Sequence, residues 1–202
     1  MGFKPLRSIP EARLLSAKGN DMKLQSFQMQ IGPEEARAKA LKQAGPLGKL
    51  MLSKDRDIHM RTVFIENKII TYQITNEPSL LSRLLRKKQK AKHKSKIRVI
   101  ANGSTSGVSY YDGIGVDLVE ADVPEEQIQR SDYPDEKLIS KGNVLARRIL
   151  RRRIGGNISI EQIEVESVYR PYHVAFFGEP VEGTKVRYLP IAADGCSVKR
   201  TC

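Results

Sequence analysis

Residues 58–72 read IHMRTVFIENKIITY, and residues 163–177 read IEVESVYRPYHVAFF. At an offset of 105 positions, the two segments align without a gap, and apolar residues fall on apolar residues along most of the length. Self-similarity at a fixed period indicates an internal repeat, and chance similarity between two β-rich hairpins is the alternative. The aligned pairs are Ile58 with Ile163, Met60 with Val165, Thr62 with Ser167, Val63 with Val168, Phe64 with Tyr169, Ile69 with Val174, and Tyr72 with Phe177.

A helical pattern precedes each of these segments. We predict the first helix from Pro33 to about Leu47 and the second from about Asp135 to Arg153. Both begin with a proline followed by acidic residues, which suit the positive end of a helix dipole. Alternating apolar residues then predict strands. The predicted strands are 57–65, 68–75, 96–101, 106–111 and 114–121 in the first half, and 160–169, 172–178, 184–192 and 196–200 in the second.

Each half therefore reads as helix, strand, strand, strand. This order predicts an α+β fold made of two tandem repeats with antiparallel sheets. One such unit is small and leaves exposed sheet edges, so pairing two units buries more surface. The expected organisation is a mobile N-terminal arm at 1–20, a first repeat at 21–122 with a basic insertion at 79–96, an acidic linker at 123–134, and a second repeat at 135–202.

Two short segments carry a family resemblance. The helix start Pro-Glu-Glu-Ala at 33–36 and the sequence VRYLPIAADG at 186–195 resemble the PepSY-type module, which has an acidic-started helix, three strands and an Asp-x-x-Gly-like turn. Here Asp194-Gly195 departs from that spacing, and Asn102-Gly103 replaces it in the first half. The resemblance, over roughly 33–111 and 135–200, implies a small non-enzymatic binding or regulatory module, often linked to protease control.

The charge of the chain is clustered. The protein has 202 residues, 35 Lys+Arg and 23 Asp+Glu, and a formal net charge of +12. Residues 77–98 hold nine basic and one acidic side chain, and residues 137–153 hold seven basic and none acidic. Residues 99–136, which lie between them, hold one basic and nine acidic side chains. Because clustering creates a local field, the two basic segments are the candidate docking surface.

The basic segments allow several interpretations. The run 79–96 is an insertion relative to the second half, and it suits a solvated loop, a phosphate-binding arm or an amphipathic membrane contact. In the predicted second helix, arginines four positions apart stack on the outward side. Neutralisation by the acidic segment 112–136 remains an alternative. The candidate binding residues are Arg83, Arg86, Lys87, Lys88, Lys90, Lys92, Lys94, Lys96, Arg147, Arg148, Arg151 and Arg152.

Catalytic and metal-binding patterns are weak. The three histidines and two cysteines have no metal-ligand or redox spacing. The run 102–107, NGSTSG, has the composition of a phosphate loop but lacks its lysine, and we interpret it as a hairpin turn. A nucleophilic Ser104 or Ser106 would need a nearby base, and a cluster of His173, Asp194 and Cys196 is the other catalytic alternative. We therefore predict no enzymatic activity, no metal and no cofactor.

These observations favour a non-enzymatic cytoplasmic regulatory or adaptor protein that docks an anionic protein surface through its two basic segments. The alternative is a nucleic-acid-binding, RNA-associated protein, in which aromatic residues near Pro171 would stack on bases. Peripheral membrane contact through 79–92 is a further expectation. The longest apolar runs are about five residues, far short of the roughly 20 that a membrane span needs, and the start of the chain lacks a secretory pattern.

Overall fold

A computed structural model describes residues 21–43, 58–77, 93–113, 117–153, 157–178 and 186–195. Two helices and one eight-stranded sheet make up these ranges. The strands are β1 (Asp21–Phe27), β2 (Ile58–Glu77), β3 (His93–Asn102), β4 (Val108–Tyr110), β5 (Leu118–Pro124), β6 (Ile128–Gln129), β7 (Asn157–Phe177) and β8 (Arg187–Ala192). The helices are α1 (Pro33–Gln43) and α2 (Asp135–Arg153), and a short 3-10 turn lies at Glu125–Gln127.

Two long strands form the centre of the sheet. β2 and β7 run antiparallel over their whole length, from Ile58 opposite Phe177 to Glu77 opposite Asn157, with one irregularity between Thr71 and Tyr72. The prediction of two shorter strands within each of these segments is wrong. The second half therefore has two strands after its helix in the described ranges, rather than three.

Asn67 and Pro171 lie in the predicted gaps between strands, and both are accommodated within the β2–β7 ladder. Asn67 pairs with Val168, and its side-chain amide donates to the Ile65 carbonyl over 2.9 Å. The Pro171 carbonyl accepts a hydrogen bond from Ala193 N–H, so the backbone groups of Pro171 point away from β2. The missing N–H of this proline therefore removes no bond from the β2–β7 ladder.

The sheet is mixed, so the prediction of purely antiparallel sheets is wrong. Its order is β4-β3-β2-β7-β1-β5, with β6 added to β2 and β8 added to β7. β1 pairs in parallel with β7 at Ser26 and Tyr169, and β6 pairs in parallel with β2 at Phe64 and Ile65. Only three residues separate β5 from β6. The pairings of β2 with β7, β7 with β1, β1 with β5, and β6 with β2 therefore form a ring of strands around a small core of Leu24, Phe64 and Val123.

Both helices pack on the sheet through narrow apolar stripes. Ala36 and Ala40 of α1 lie in one buried cluster with Ile58 and Phe177 at one end of the long strands. The predicted extent of α2 is confirmed, while the predicted end of α1 at residues 44–47 lies outside the described residues.

Several predicted boundaries change. β1 was not predicted, and β5 occupies 118–124 where a strand at 114–121 was expected. The region 123–134, assigned to a linker, contains the end of β5, the 3-10 turn and β6. The arm at 1–20, most of the basic insertion at 79–96, and the strand at 196–200 lie outside the described residues.

Candidate binding surface

Helix α2 is held firmly against the sheet. Its buried stripe of Leu138, Ala146 and Leu150 lies in a cluster with residues of β2 and β3. The Tyr72 hydroxyl donates a 2.9 Å hydrogen bond to the Ile139 carbonyl, and burial raises the pKa of Tyr72 to about 12. At Gly142 the helix approaches β2 so closely that an added Cβ would lie 2.7 Å from the Tyr72 hydroxyl.

The start of α2 is anchored by a charged cluster on β2. The Lys68 ammonium lies 3.2 Å from an Asp135 carboxylate oxygen and 3.0 Å from a Glu66 oxygen, and it donates to Ser167 Oγ over 2.8 Å. Burial lowers the pKa of Lys68, but hydrogen bonds and charge from Glu66 and Asp135 more than compensate, so the pKa is raised.

Glu66 is the acidic partner within this cluster. Burial acts to raise the pKa of Glu66, but the Ser131 N–H and the Lys68 ammonium hold it below its ordinary value. The Ser131 N–H lies 3.0 Å from Glu66 Oε2. Because Lys68 stays protonated, it cannot act as a base toward Ser167, and the cluster is a structural anchor.

The outward side of α2 carries four exposed arginines: Arg147, Arg148, Arg151 and Arg152. Arg147 Nε donates to Asn143 Oδ1 over 2.6 Å. Among the described residues, no carboxylate forms a salt bridge with these four side chains. The described part of the acidic segment 112–136 therefore does not neutralise them through direct ion pairs.

The direction of α2 places its arginines toward one end of the sheet. The helix begins beside Lys68, and by Ile139 it has reached Tyr72. Its remaining residues, at about 1.5 Å each, continue in the direction in which β2 runs toward Glu77. The last turns thus lie toward the end of the sheet where β2 ends and β3 begins, which is the end that the basic segment 78–92 connects.

Lys94 and Lys96 lie at this end but on the opposite face of the sheet. Ile97 and Val99 belong to the cluster that packs against α2, and side chains alternate along a strand. Lys94 and Lys96 are exposed on the other side. The described residues of the two basic segments therefore do not share one face. Six predicted binding residues lie outside the described ranges: Arg83, Arg86, Lys87, Lys88, Lys90 and Lys92.

A depression of about 440 Å³ lies on this face of the sheet, opposite α2. Lys96 and Arg98 line it together with Tyr110 and Glu164. The Arg98 guanidinium lies 5.2 Å from the centroid of the Tyr111 ring and donates to the Asp112 carbonyl over 3.2 Å. Arg98 is not among the binding residues predicted from the sequence. The period-two spacing of Lys94, Lys96 and Arg98 was the signal that groups them on one face.

The alternative catalytic residues are engaged in structural contacts. Arg170 binds both carboxylate oxygens of Asp194 at 2.6 and 3.0 Å. The His173 ring lies 3.1 Å from the Thr62 hydroxyl through Nδ1 and 2.9 Å from the Ile31 carbonyl through Nε2. Because a carbonyl oxygen can only accept, the ring donates from Nε2 to Ile31. Cys196 lies outside the described residues.

The turn 102–107 joins β3 to β4 and satisfies its own polar groups. Asn102 Oδ1 accepts from the backbone N–H groups of Ser104 and Thr105, both at 2.9 Å. Ser106 has a positive φ of 53°, and its carbonyl accepts from the Lys141 ammonium on α2 over 3.1 Å. Within the part of the chain that the structure describes, no group of three or more His, Cys, Asp or Glu side chains is arranged to hold a metal ion.

Comparison with known proteins finds no matching family, no similar curated protein and no similar solved structure. In the described ranges, neither helix is both long enough and apolar enough to cross a membrane.

Proposed function

We propose that this protein is a non-enzymatic regulatory or adaptor protein that docks an anionic protein surface through the outward face of α2. The observation that carries the proposal is the set of four exposed arginines without a carboxylate partner among the described residues. A patch whose charge is not satisfied internally retains its attraction for an external anion. The cytoplasm is the compartment in which we expect it to act.

The rigidity of α2 supports a protein partner. Arg147 and Arg151, like Arg148 and Arg152, are one helical turn apart, which is about 6 Å along the axis. Because Tyr72 and Lys68 hold the helix against the sheet, these spacings are set before binding. Guanidinium groups at fixed spacing bind carboxylates through paired hydrogen bonds, and prior ordering reduces the entropic cost of docking.

Nucleic acid is the second candidate, supported by a different surface. Lys96 and Arg98 lie beside Tyr110 and Tyr111 around the depression on the face opposite α2. Basic side chains next to aromatic rings are the combination that single-stranded nucleic acids bind. This version predicts that Lys96 and Arg98, rather than the α2 arginines, dominate RNA affinity and that affinity falls steeply with salt.

We also propose that the chain consists of two related halves. Ile65 lies opposite Arg170 in the β2–β7 ladder, and these two residues are 105 positions apart, the offset at which the two segments align. Segments related by a two-fold axis would pair antiparallel about such a point. A PepSY-like module in each half remains part of this proposal.

A second pair of contacts supports the same relation. At the offset of 105, Lys68 corresponds to His173 and Ser167 corresponds to Thr62. Lys68 Nζ lies 2.8 Å from Ser167 Oγ, and the corresponding His173 Nδ1 lies 3.1 Å from Thr62 Oγ1. Lys68 also reaches the start of α2 at Asp135, while His173 reaches the Ile31 carbonyl just before α1.

The docking proposal is tested with two charge-matched variants. In the first, Arg147, Arg148, Arg151 and Arg152 are replaced by glutamine. In the control, the same net charge is removed elsewhere by replacing Lys23, Arg37, Lys39 and Lys42 with glutamine. Binding of a fluorescent glutamate-rich peptide and of a single-stranded RNA is followed by anisotropy.

The α2 variant should bind the acidic peptide roughly tenfold to a hundredfold more weakly than the wild-type protein, because four ion pairs of up to about 1 kcal/mol each are lost. The control should retain most of the wild-type affinity. Equal losses in both variants would mean that only net charge matters and would contradict a docking site on α2. RNA binding that depends on Lys96 and Arg98, without peptide binding, would favour the second candidate.

A further inference from the structure

One edge of β3 has no strand partner over its first residues within the part of the chain that the structure describes. β4 pairs with Val99, Ile100 and Ala101, and the Arg98 carbonyl accepts from Tyr111 N–H on the same side. Backbone groups alternate between the two sides of an antiparallel strand, so those of Lys94 and Lys96 point away from β2, as those of Arg98 do. Among the described residues, no strand pairs with Lys94 or Lys96 on this edge.

β5 also has one edge without a described strand partner, and the charged side chains there have the opposite sign. It pairs with β1 along one side, where the Asp117 carbonyl accepts from Gln28 N–H over 2.9 Å. By the same alternation, the backbone groups of Leu118, Glu120 and Asp122 point away from β1. These three residues are exposed, and no described strand pairs with them on that side.

The two edges match in the alternation of their backbone groups as well as in charge. On each edge, the residues with outward backbone groups are also the ones that carry the charged side chains. An antiparallel pairing that sets Lys96 opposite Glu120 also sets Lys94 opposite Asp122. Opposite charges directly across a ladder stabilise it, and like charges destabilise it.

Pairing between identical edges is disfavoured by the same charges. Two β3 edges would bring lysines together, and two β5 edges would bring carboxylates together. Charged edge strands commonly prevent uncontrolled pairing. Here the charges disfavour β3–β3 and β5–β5 pairing but permit pairing of β3 with β5. Among the described residues, Lys94, Lys96, Glu120 and Asp122 form no salt bridge within the chain.

We infer that the protein associates with a second copy of itself, with the β3 edge of one copy adding to the β5 edge of the other. The two surfaces differ, so the contact is head-to-tail and leaves one free edge of each kind. The ladder is short, so the association is weak and sensitive to salt. This inference does not depend on the docking proposal, because it uses neither the arginines of α2 nor an external partner.

Charge-swap variants test the inference in the full chain. The first variant carries Lys94→Glu and Lys96→Glu, the second carries Glu120→Lys and Asp122→Lys, and the third carries all four changes. Sedimentation velocity over a range of protein concentrations, at low and high salt, gives the average mass. Arg37→Glu with Lys42→Glu, at two exposed positions of α1, is the matched control for the first variant, since it changes the net charge equally.

The wild-type mass should rise with concentration at low salt and fall back to that of one chain at high salt. The first and second variants should each remain monomeric alone and associate when mixed, and the fourfold variant should associate like the wild-type protein. The control on α1 should also associate. A wild-type protein that stays monomeric throughout, or failure of both the mixture and the fourfold variant to associate, would overturn the inference.

Discussion

The Lys68 ammonium donates a 2.8 Å hydrogen bond to Ser167 Oγ, and this contact joins the two central strands at the point where α2 begins. The same ammonium group is bound by Glu66 and Asp135, so one buried cation connects β2, β7 and α2. The arginine face of α2 depends on this anchor and on Tyr72 for its position. The predictions below separate these contributions.

Lys68→Met should lower the free energy of unfolding by about 2–3 kcal/mol, because Glu66 loses its counter-charge in a largely buried position. The measurement is equilibrium unfolding in urea. Lys39→Met is the control, since Lys39 forms an ion pair of similar length, 2.9 Å, with Glu35 on the exposed side of α1. That variant should change stability by less than about 0.5 kcal/mol. Similar losses in the two variants would contradict the anchoring role of Lys68.

Glu66 should make stability depend on acidic pH. The pKa of Glu66 in the folded protein lies below its ordinary value of 4.5, so its stabilising contribution is complete above that pH and is lost as the pH falls through the folded-state pKa. The difference in unfolding free energy between the wild-type protein and Glu66→Gln should therefore shrink as the pH is lowered below about 4.5. A difference that stays constant down to pH 3 would reject this assignment.

Tyr72→Phe should cost about 1 kcal/mol, because it removes the hydrogen bond to the Ile139 carbonyl and leaves that acceptor buried. In the folded wild-type protein the pKa of Tyr72 is about 12, above the value of about 10 for tyrosine in an unfolded chain. The contribution of Tyr72 to the free energy of unfolding is therefore complete below a pH of about 10 and decreases as the pH rises from about 10 to 12. Absorbance titration of the tyrosines should lose its highest transition in the variant. Loss of amplitude near the ordinary tyrosine pKa of about 10, with the highest transition retained, would show that Tyr72 ionises like an exposed residue.

Gly142→Ala should destabilise the protein although alanine is the better helix former. The added methyl group would lie 2.7 Å from the Tyr72 hydroxyl, 3.0 Å from Ile70 Cδ1 and 3.2 Å from Val99 Cγ2. Overpacking of this kind costs about 1–3 kcal/mol, against a gain of up to about 1 kcal/mol in helix propensity.

Ser140→Ala, on the exposed side of the same helix, provides the comparison for Gly142→Ala and should be neutral or stabilising by a few tenths of a kcal/mol. Thermal unfolding of both variants measures the difference. Stabilisation by Gly142→Ala would show that α2 can move away from β2 at little cost.

Helix α2 was predictable because its signals are local. The acidic start at Asp135 and the apolar positions Leu138, Leu145 and Ile149 set its beginning and its buried side. The outward direction of its arginines follows from the same 3.6-residue period. The charged anchor at Lys68 was not predictable, since its partners come from positions 66, 135 and 167.

The strand boundaries could not be predicted as well from local sequence signals. Asn67 and Pro171 are residues that commonly interrupt strands, and nothing near them in the chain indicates otherwise. Asn67 fits into the ladder because it pairs with Val168 on the neighbouring strand. Pro171 fits because its carbonyl accepts a hydrogen bond from Ala193 N–H on the side away from β2. β1 was missed because four of its seven residues are exposed and its pairing partners are distant in the chain.

The sequence alone determined the elements whose information is contained in neighbouring residues: the extent of α2, the hairpin turn after Asn102 and the clustering of charge. The tertiary structure alone decided that Lys94 and Lys96 lie on the face opposite α2, that β2 and β7 are continuous, and that one edge of β3 and one edge of β5 lack a strand partner among the described residues. The physical reason is that periodicity specifies which residues share a face of one element. Strand order and pairing depend on hydrogen bonds and packing between residues as far apart in the chain as Ser26 and Tyr169, which are 143 positions apart.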